Sequence, residues 1–324
     1  MFERRRALAW LCAAALGVGT AFAQSDAFPV RSIRIVVPFP PGGFNDQLAR
    51  ILAQKLHEAW GQSVLVENRP GGGSQIGTQT VAKAAPDGYT LLMASFAFAV
   101  NPALYAKLPY DTVRDFTPVI LCAATPNLLV VGNEVPVQSV KELVALAKSK
   151  PGELAYASAG LGSSNHLSME LLKARAGIDL VHVPYKGSAP AVIDVVGGRV
   201  QAMFDNAPNV LPQVRAGKLR ALAVTSPRRF APMPELPTVA ESGIEDFEVS
   251  VWFGIAAPAR TPPGVVERIN AQINRILLLP DVQSTFRLQG VESIGGSPQQ
   301  FTVHLRSQMA KWSGVVKEAG VRLE

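Results

Sequence analysis

Two glycine-rich stretches of the chain combine residue types that suit the binding of an anion. The first, PPGGFND from Pro40 to Asp46, follows the apolar run IRIVV. Glycines let the backbone approach a ligand, and the helix expected there begins with unpaired N–H groups that carry partial positive charge. The second, SAGLGSSNH from Ser158 to His166, adds serine hydroxyls and an asparagine amide. The first favours a bound anion and the second a carboxylate, although an ordinary tight turn with a serine cap explains the second equally well.

Motifs of the common catalytic centres are missing from the sequence. It has no GxSxG elbow, HExxH pair, Walker loop or spaced Cys/His cluster, and its four histidines are far apart in sequence. Ser164 and His166 are close together, but at a helix start a serine cap is much commoner than a nucleophile. We therefore predict that the protein is not an enzyme and has no catalytic residues, metal or cofactor.

The first 23 residues have the pattern of an export signal. MFERRR precedes an apolar run from Ala7 to Gly19, and Ala21-Phe22-Ala23 fits the small-x-small cleavage rule. We expect a signal peptide over 1–23, cleavage after Ala23 and a periplasmic mature protein, in which Cys122 is the sole cysteine and a buried thiol. The charge of +6 is spread along the chain, which argues against nucleic acid and weakly for acidic solutes.

Short apolar runs alternate with helical patterns along most of the chain. This alternation predicts a mostly parallel sheet covered on both faces, with ligands bound beyond the carboxyl ends of the strands. The expected strands are 33–37, 64–66, 90–94, 128–131, 180–183, 201–204 and 219–224. Beyond Pro262 the pattern predicts two helices, one to about residue 279 and one from Ser297 to about residue 319.

A series of longer motifs, in order along the mature chain, resembles one known family. They include PFPPGG with Asp46, ENRPGGGSQIG, KAAPDGYTLL, YASAGLGSSNHLSMELLK, VHVPYKGSAPAVIDVVGGRV, MFDN, LPTVAESG and WFGIAAPA. On these residues the chain is identified as a member of the Bug family, the periplasmic solute receptors of tripartite tricarboxylate transporters.

The resemblance implies an α/β fold of the type II periplasmic-binding-protein class, a Venus flytrap of two α/β domains joined by a two-crossing hinge. Domain I would comprise 24–125 plus 247–324, and domain II 126–246. It also implies a small carboxylate in the interdomain cleft, delivery to membrane permease subunits, no nucleic-acid partner and a monomeric state. An alternative is the same clamp acting as a solute sensor for a signalling partner, and another is a C4-dicarboxylate or citrate-type ligand.

Family members hold the carboxylate between loops at the domain edges, which implies a set of ligand-binding residues here. In domain I these are Pro41, Gly42, Gly43, Phe44, Asn45, Asp46, Ser95, Phe96, Ala97 and Phe98. In domain II they are Ser158, Gly160, Gly162, Ser163, Ser164, Asn165, His166, Asp205 and Asn206. Tyr185, Lys186 and Gly187 are expected to flank the cleft, with a solvated surface charge as the equal alternative for Lys186.

Three phenylalanines depart from the family pattern. Phe44, Phe96 and Phe98 stand where members commonly carry small or hydroxylated residues. Aromatic rings cover apolar ligand surface and stack on other rings. We therefore expect an aromatic or otherwise apolar-bodied carboxylic acid in preference to citrate, against the alternative that each ring packs beneath its loop.

Overall fold

Strands and helices alternate in the computed structural model, which describes residues 28–318 and 320–321. The strands are β1 (Ile33–Val37), β2 (Val64–Asn68), β3 (Thr90–Ser95), β4 (Phe116–Gly132), β5 (Ala155–Ser158), β6 (Val181–Pro184), β7 (Ala202–Asn206), β8 (Leu219–Val224), β9 (Ser250–Pro258) and β10 (Glu292–Ser293). The helices are α1 (Phe44–Trp60), α2 (Gln75–Ala82), α3 (Phe96–Leu104), α4 (Val140–Ser149), α5 (Ser164–Ala176), α6 (Ser188–Val196), α7 (Ala207–Arg215), α8 (Pro263–Leu277), α9 (Pro280–Gln289) and α10 (Pro298–Glu318). The predicted α/β class is confirmed, and the predicted signal peptide lies outside the described residues.

The strands follow one another in the order β2-β1-β3-β9-β4-β7-β5-β6, with β8 and β10 paired to β4. At one end β1 pairs in parallel with β2 and β3, and at the other β5 pairs in parallel with β6 and β7. Between them β9 and β4 run antiparallel to each other and to their neighbours β3 and β7. Two parallel α/β units are therefore joined by a pair of long antiparallel strands.

The 17-residue strand β4 belongs to both units. It pairs with β9 as far as Pro126, and from Asn127 onward it pairs with β7 and β8. Most of its residues are buried, as is typical of a strand covered on both faces. Cys122 on this strand is free and fully buried, and burial raises the pKa of its thiol, which confirms the expected buried thiol.

Amphipathic helices cover the sheet on both faces. In α8 the buried residues Val266, Ile269, Ile273 and Ile276 recur at helical spacing, which places one apolar stripe against the core. The two helices predicted beyond Pro262 are α8 and α10, and α9 between them was not predicted. None of the helices described between residues 28 and 321 is long and apolar enough to cross a bilayer.

Most helices follow the carboxyl end of a strand, and five of these begin close together between the two units. They are α1 after β1, α3 after β3, α5 after β5, α6 after β6 and α7 after β7. The short connections between these strands and helices contain the glycine and serine clusters that the sequence analysis singled out. This arrangement brings stretches far apart in sequence to one place between the two units.

Candidate functional site

A small cavity lies where these five helices begin. Its volume is about 40 Å³, and it opens beside a larger pocket of about 600 Å³ with which it shares six residues. The cavity is lined by Phe39, Pro40, Gly43, Phe44, Asn45, Ser95, Phe96, Ala97, Ala159, Ser163, Ser164, Asn165, Gly187, Ser188, Asp205, Asn206, Asn209 and Val251.

The cavity brings together eleven of the nineteen residues that the sequence analysis proposed. These are Gly43, Phe44, Asn45, Ser95, Phe96, Ala97, Ser163, Ser164, Asn165, Asp205 and Asn206. Gly160 lines the adjoining pocket instead. The other seven line neither space, namely Pro41, Gly42, Asp46, Phe98, Ser158, Gly162 and His166.

The start of each of the five helices contributes to the cavity lining. The residues that precede their first turns are Gly43, Ser95, Ser163, Gly187 and Asn206. The first N–H groups of a helix have no partner within the helix, and they carry the positive end of its dipole. Since no lysine or arginine lines this cavity among the described residues, the helix starts are its main source of positive partial charge. Such a cavity suits a carboxylate.

Side-chain hydroxyls and amides form one side of the cavity. We call Ser163, Ser164, Asn165, Ser188, Asp205, Asn206 and Asn209 the hydroxyl–amide wall. Asn165 is its best-anchored member, because its Nδ2 donates to Phe204 O at 2.8 Å and to Asp205 Oδ1 at 2.7 Å. Ser163 Oγ accepts from the backbone N–H of His166 and so caps α5.

The carboxylate of Asp205 is saturated by donors from the protein. Asn206 N donates to its Oδ1 at 2.7 Å, Asn209 Nδ2 donates to the same oxygen at 3.0 Å, and the Ser188 hydroxyl donates to Oδ2. Burial raises the pKa of Asp205 to about 6, and the hydrogen bonds from Asn209, Asn165 and Asn206 act in the opposite direction. Asp205 therefore holds the wall together and is only partly charged near pH 6.

Asp46 fixes the PPGG corner from outside the cavity. Its Oδ2 accepts from Gly42 N at 3.2 Å and from Arg50 Nε at 3.0 Å, while its Oδ1 accepts from Asn68 Nδ2 at 3.0 Å. Burial alone would raise the pKa of Asp46, but these hydrogen bonds, with the Arg50 charge, lower it overall. The carboxylate is thus occupied with the corner, so the structure places Asp46 in support of the site rather than at its surface.

The opposite side of the cavity is formed by loops whose aromatic rings point into the core. We call Gly43, Phe44, Asn45, Ser95, Phe96 and Ala97 the phenylalanine wall. The Phe44 ring lies 4.8 Å from that of Phe253, and the Phe96 ring lies 4.5 Å from that of Trp312. Both residues are at most 2 % exposed.

Phe98 lies further from the cavity. Its ring packs against Phe116 at 4.9 Å and Tyr110 at 6.5 Å, in the apolar layer beneath α3. The sequence predicted that all three rings cover the ligand. In the structure, the helical geometry of α3 turns the Phe98 ring away from the residues that begin this helix.

A stack of three rings supports the hydroxyl–amide wall from behind. The His166 and His182 rings lie 4.3 Å apart, and the His182 and Tyr156 rings 4.7 Å apart, nearly parallel in both cases. His182 Nε2 is 2.6 Å from Ser158 Oγ. Burial lowers the pKa of both histidines to about 4, so they are neutral at pH 7. Ser158 and His166 thus belong to the scaffold of the loop from 159 to 163.

Several cavity residues were not predicted as site residues. Ser188 and Asn209 are the chemically important ones, and Phe39, Pro40, Ala159 and Val251 complete the set, whereas Gly187 was expected to flank the cleft. A signal for Ser188 exists in the sequence, since Gly187-Ser188 repeats the glycine-then-serine start seen at Ser163. Asn209 lies in the first turn of α7, four residues after Asp205 near the end of β7, and its Nδ2 donates to Asp205 Oδ1 at 3.0 Å.

The adjoining pocket is more apolar than the cavity. Pro38, Phe39, Pro40, Pro70 and Leu161 line it, with Tyr185, Lys186 and the glycine run 71–73. Lys186 is exposed at its rim. Within residues 28–318 and 320–321, no cluster of three or more His, Cys, Asp or Glu side chains is arranged to hold a metal ion.

Comparison with known proteins identifies relatives over most of the chain. Residues 48–321 match the model of the tripartite tricarboxylate transporter family receptor. The periplasmic binding protein BugD is 35% identical over 92% of this chain and 100% of its own, with a TM-score of 0.88.

Two further relatives have been solved with small acids. Rpa4515 of R. palustris, solved with adipate, is 41% identical over 91% of this chain and 99% of its own, with a TM-score of 0.89. MatC from Rhodopseudomonas palustris, with bound malate, is 33% identical over 89% of this chain and 100% of its own, with a TM-score of 0.86.

Proposed function

This chain belongs to the tripartite tricarboxylate transporter receptor family, and we propose that it captures a small carboxylate in the cavity and delivers it to the permease of such a transporter. The family consists of solute receptors rather than enzymes, and its members are periplasmic binding proteins. One observation carries the proposed site, namely the convergence of five helix starts on one cavity whose lining, among the described residues, includes no lysine or arginine.

The ligand's carboxylate lies in the cavity and its remaining body in the adjoining pocket. The cavity of about 40 Å³ is too small for a whole dicarboxylic acid, whereas the pocket of about 600 Å³ is not. Three prolines, Phe39 and Leu161 on the pocket side favour an apolar or aromatic body. These residues, rather than the rings of Phe44, Phe96 and Phe98, support the preference for an apolar-bodied acid over citrate.

Closure of two domains about β4 and β9 would bury the ligand. The change of β4 partners after Pro126 supports domain II beginning at residue 126, and β9 provides the return crossing after residue 247. Domain I then comprises 24–125 plus 247–324, and domain II 126–246. In this scheme the protein is exported after cleavage behind Ala23 and acts as a monomer whose closed form the permease recognises.

Mass spectrometry of the protein purified from the periplasm tests the proposed function. Native spectra show whether a small molecule is bound, and denaturation releases it for identification. We expect one unmodified carboxylic acid per chain, and an apo-protein that binds adipate, malate or 3-phenylpropanoate in calorimetry with a stoichiometry of one. Turnover of the acid, or failure of any carboxylate to bind, would contradict the proposal.

Gly43 offers a sharp test of the site. Its φ is −84°, and an added Cβ would meet no atom within 4 Å. A Gly43→Leu substitution should therefore fold normally, fill the cavity and reduce affinity by at least tenfold. Gly314, on the exposed side of α10, also has room for a Cβ, and Gly314→Leu is the matched control that keeps full affinity. Equal binding by both variants would show that the carboxylate lies elsewhere.

A further inference from the structure

Four consecutive residues, Gly71 to Ser74, have positive φ angles. The angles are 123°, 55°, 58° and 76° in chain order. A glycine adopts such angles freely, whereas a residue with a Cβ is strained there. The fourth residue is nevertheless a serine, so its surroundings have to hold Ser74 in this conformation. We call residues 71–74 the left-handed loop.

The side chain of Asn101 on α3 holds the left-handed loop in place. Its Nδ2 donates to Gly73 O at 2.9 Å, and the same nitrogen lies 3.2 Å from both Ser74 Oγ and Tyr110 Oη. Asn101 is 0 % exposed, so bulk water does not compete for these bonds. Turning the amide over would place its oxygen against Gly73 O, so the bond to that carbonyl fixes its orientation. One buried amide thus ties together the two residues that end the loop.

The left-handed loop lies where the two α/β units meet. All four of its residues line the adjoining pocket, and so does Leu161 of the other unit. A Cβ added at Gly73 would overlap the Tyr105 hydroxyl and would lie 3.3 Å from Leu161 O. The backbone of the loop therefore forms the pocket wall at this point, and a change of φ at Gly73 or Ser74 would move that wall.

Given the proposed function, on which this step rests, we infer that Asn101 is a positioning residue for ligand capture. It lines neither the cavity nor the adjoining pocket, and it acts through the left-handed loop, which it holds close to Leu161. The wall formed in this way encloses the part of the ligand that lies in the adjoining pocket. A wall that is ordered in advance adds to affinity, because binding does not have to order it.

Asn270 on α8 provides a matched control for the alternative that Asn101 serves only the stability of the fold. Its Nδ2 donates to Val119 O at 2.9 Å and to Gly296 O at 2.8 Å, and it thereby holds a turn in which Gly295 and Gly296 have positive φ. These residues line neither the cavity nor the adjoining pocket. A variant at Asn270 therefore shows what the loss of such an amide does away from the site.

Binding measurements on Asn101→Leu at pH 7 test the inference. The probe is whichever of adipate, malate and 3-phenylpropanoate binds the wild-type protein most tightly. Calorimetry gives its affinity, and NMR exchange spectroscopy of the ligand gives its dissociation rate. We expect Asn101→Leu to bind the probe at least tenfold more weakly, mainly through faster dissociation. Asn270→Leu should bind it within twofold of the wild-type affinity.

A second substitution shows whether Asn101 acts through the loop. Glycine adopts the φ of 76° at Ser74 without strain, and the Ser74 side chain makes no capping bond to α2. Ser74→Gly alone should therefore bind within twofold of the wild type, and Ser74→Gly combined with Asn101→Leu should regain at least threefold in affinity. A purely structural role of Asn101 would give no such rescue.

Should Asn101→Leu fail to fold, Ser74→Val takes its place. A β-branched residue disfavours the positive φ while the Asn101 amide stays intact, so this variant should show the same tenfold loss and the same faster dissociation. Normal binding by Ser74→Val would overturn the inference.

Three further outcomes would contradict the inference and leave the receptor function intact. They are equal affinity of Asn101→Leu and Asn270→Leu, a loss of affinity caused by slower association alone, and the absence of rescue by Ser74→Gly. Failure of the wild-type protein to bind any of the three acids would instead remove the proposed function, and this inference with it.

Discussion

The two walls of the cavity use their sequences in opposite ways. In the phenylalanine wall the large side chains of Phe44 and Phe96 pack into the core, and the start of each helix is what faces the cavity. In the hydroxyl–amide wall the side chains of Ser163, Asn165 and Asp205 form both the surface and the bonds that hold it. A residue at a binding loop can therefore serve the site through its backbone while its side chain serves the fold.

The largest expected effect comes from truncating a ring of the phenylalanine wall. Phe44 is completely buried, so Phe44→Ala should lower the free energy of unfolding by about 3–5 kcal/mol, as is usual for a buried phenylalanine. Denaturant titration measures this. Phe98→Ala is the comparison, since its ring is equally buried but away from the cavity, and it should destabilise similarly without altering ligand preference. A Phe44→Ala protein of unchanged stability would mean that this ring faces the ligand.

An intermediate effect is expected from the hydroxyl–amide wall. Asn165→Ala removes the donor to both Phe204 O and Asp205, and leaving such buried acceptors unpaired should cost about 1–3 kcal/mol of unfolding free energy. Affinity for the carboxylate should fall as well, because the wall loses its anchor. Asn133→Ala, at an exposed amide, should change stability by no more than about 0.5 kcal/mol. Loss of affinity without loss of stability would show that Asn165 only contacts ligand.

The smallest expected effect is a difference in how the stability of the two walls depends on pH, because different residues support each wall. His166 and His182 have pKa values of about 4 in the folded protein, below the ordinary value of 6.5. The unfolded chain therefore binds more protons between these values, and the stability from the neutral pair, complete above pH 6.5, is lost as the pH falls towards 4. Nearby Glu170 and Lys173 have smaller, opposing effects. Asp205, with its pKa raised to about 6, acts oppositely, because its protonated form is the more stable in the fold.

Hydrogen exchange resolved by segment measures this difference. Between pH 7.5 and pH 5 the segment 156–170, which contains His166 of the stack, should lose protection relative to 90–100, which contains no histidine. His182→Gln should reduce the loss, and His57→Gln, at an exposed side chain, should not. His304 on α10 also has a lowered pKa because of burial, so a global melting temperature would not separate the walls. Equal loss in both segments would contradict the assignment of the stack to the hydroxyl–amide wall.

Local sequence patterns predicted most of the scaffold. The strands 33–37 and 219–224 match the structure at both ends, because turns and polar residues bound short apolar runs. Helix α9 was not predicted, because three leucines followed by Pro280 are typical of the end of a helix. In the structure a new helix begins at that proline.

The sequence predicted which loops form the candidate site more reliably than it predicted which of their side chains face the cavity. Gly43, Ser163 and Asn165 could be predicted because glycine and capping residues mark a helix start, wherever it lies in the fold. Whether a ring at such a start faces ligand or core depends on what packs behind it, as Trp312 does behind Phe96. Trp312 lies 216 positions further along the chain, and no local pattern contains that information. For Ser188 the sequence marks the helix start at Gly187-Ser188, but its bond to Asp205, which makes it a wall residue, depends on the fold.

The contact between Phe96 and Trp312 has an optical consequence. Phe96 lines the cavity on one side, and on the other its ring meets the indole of Trp312 edge-on at 4.5 Å. A bound solute is thus separated from a natural fluorophore by a single ring. Filling and emptying of the cavity should change the emission of Trp312, so the chain carries its own occupancy signal without any attached dye.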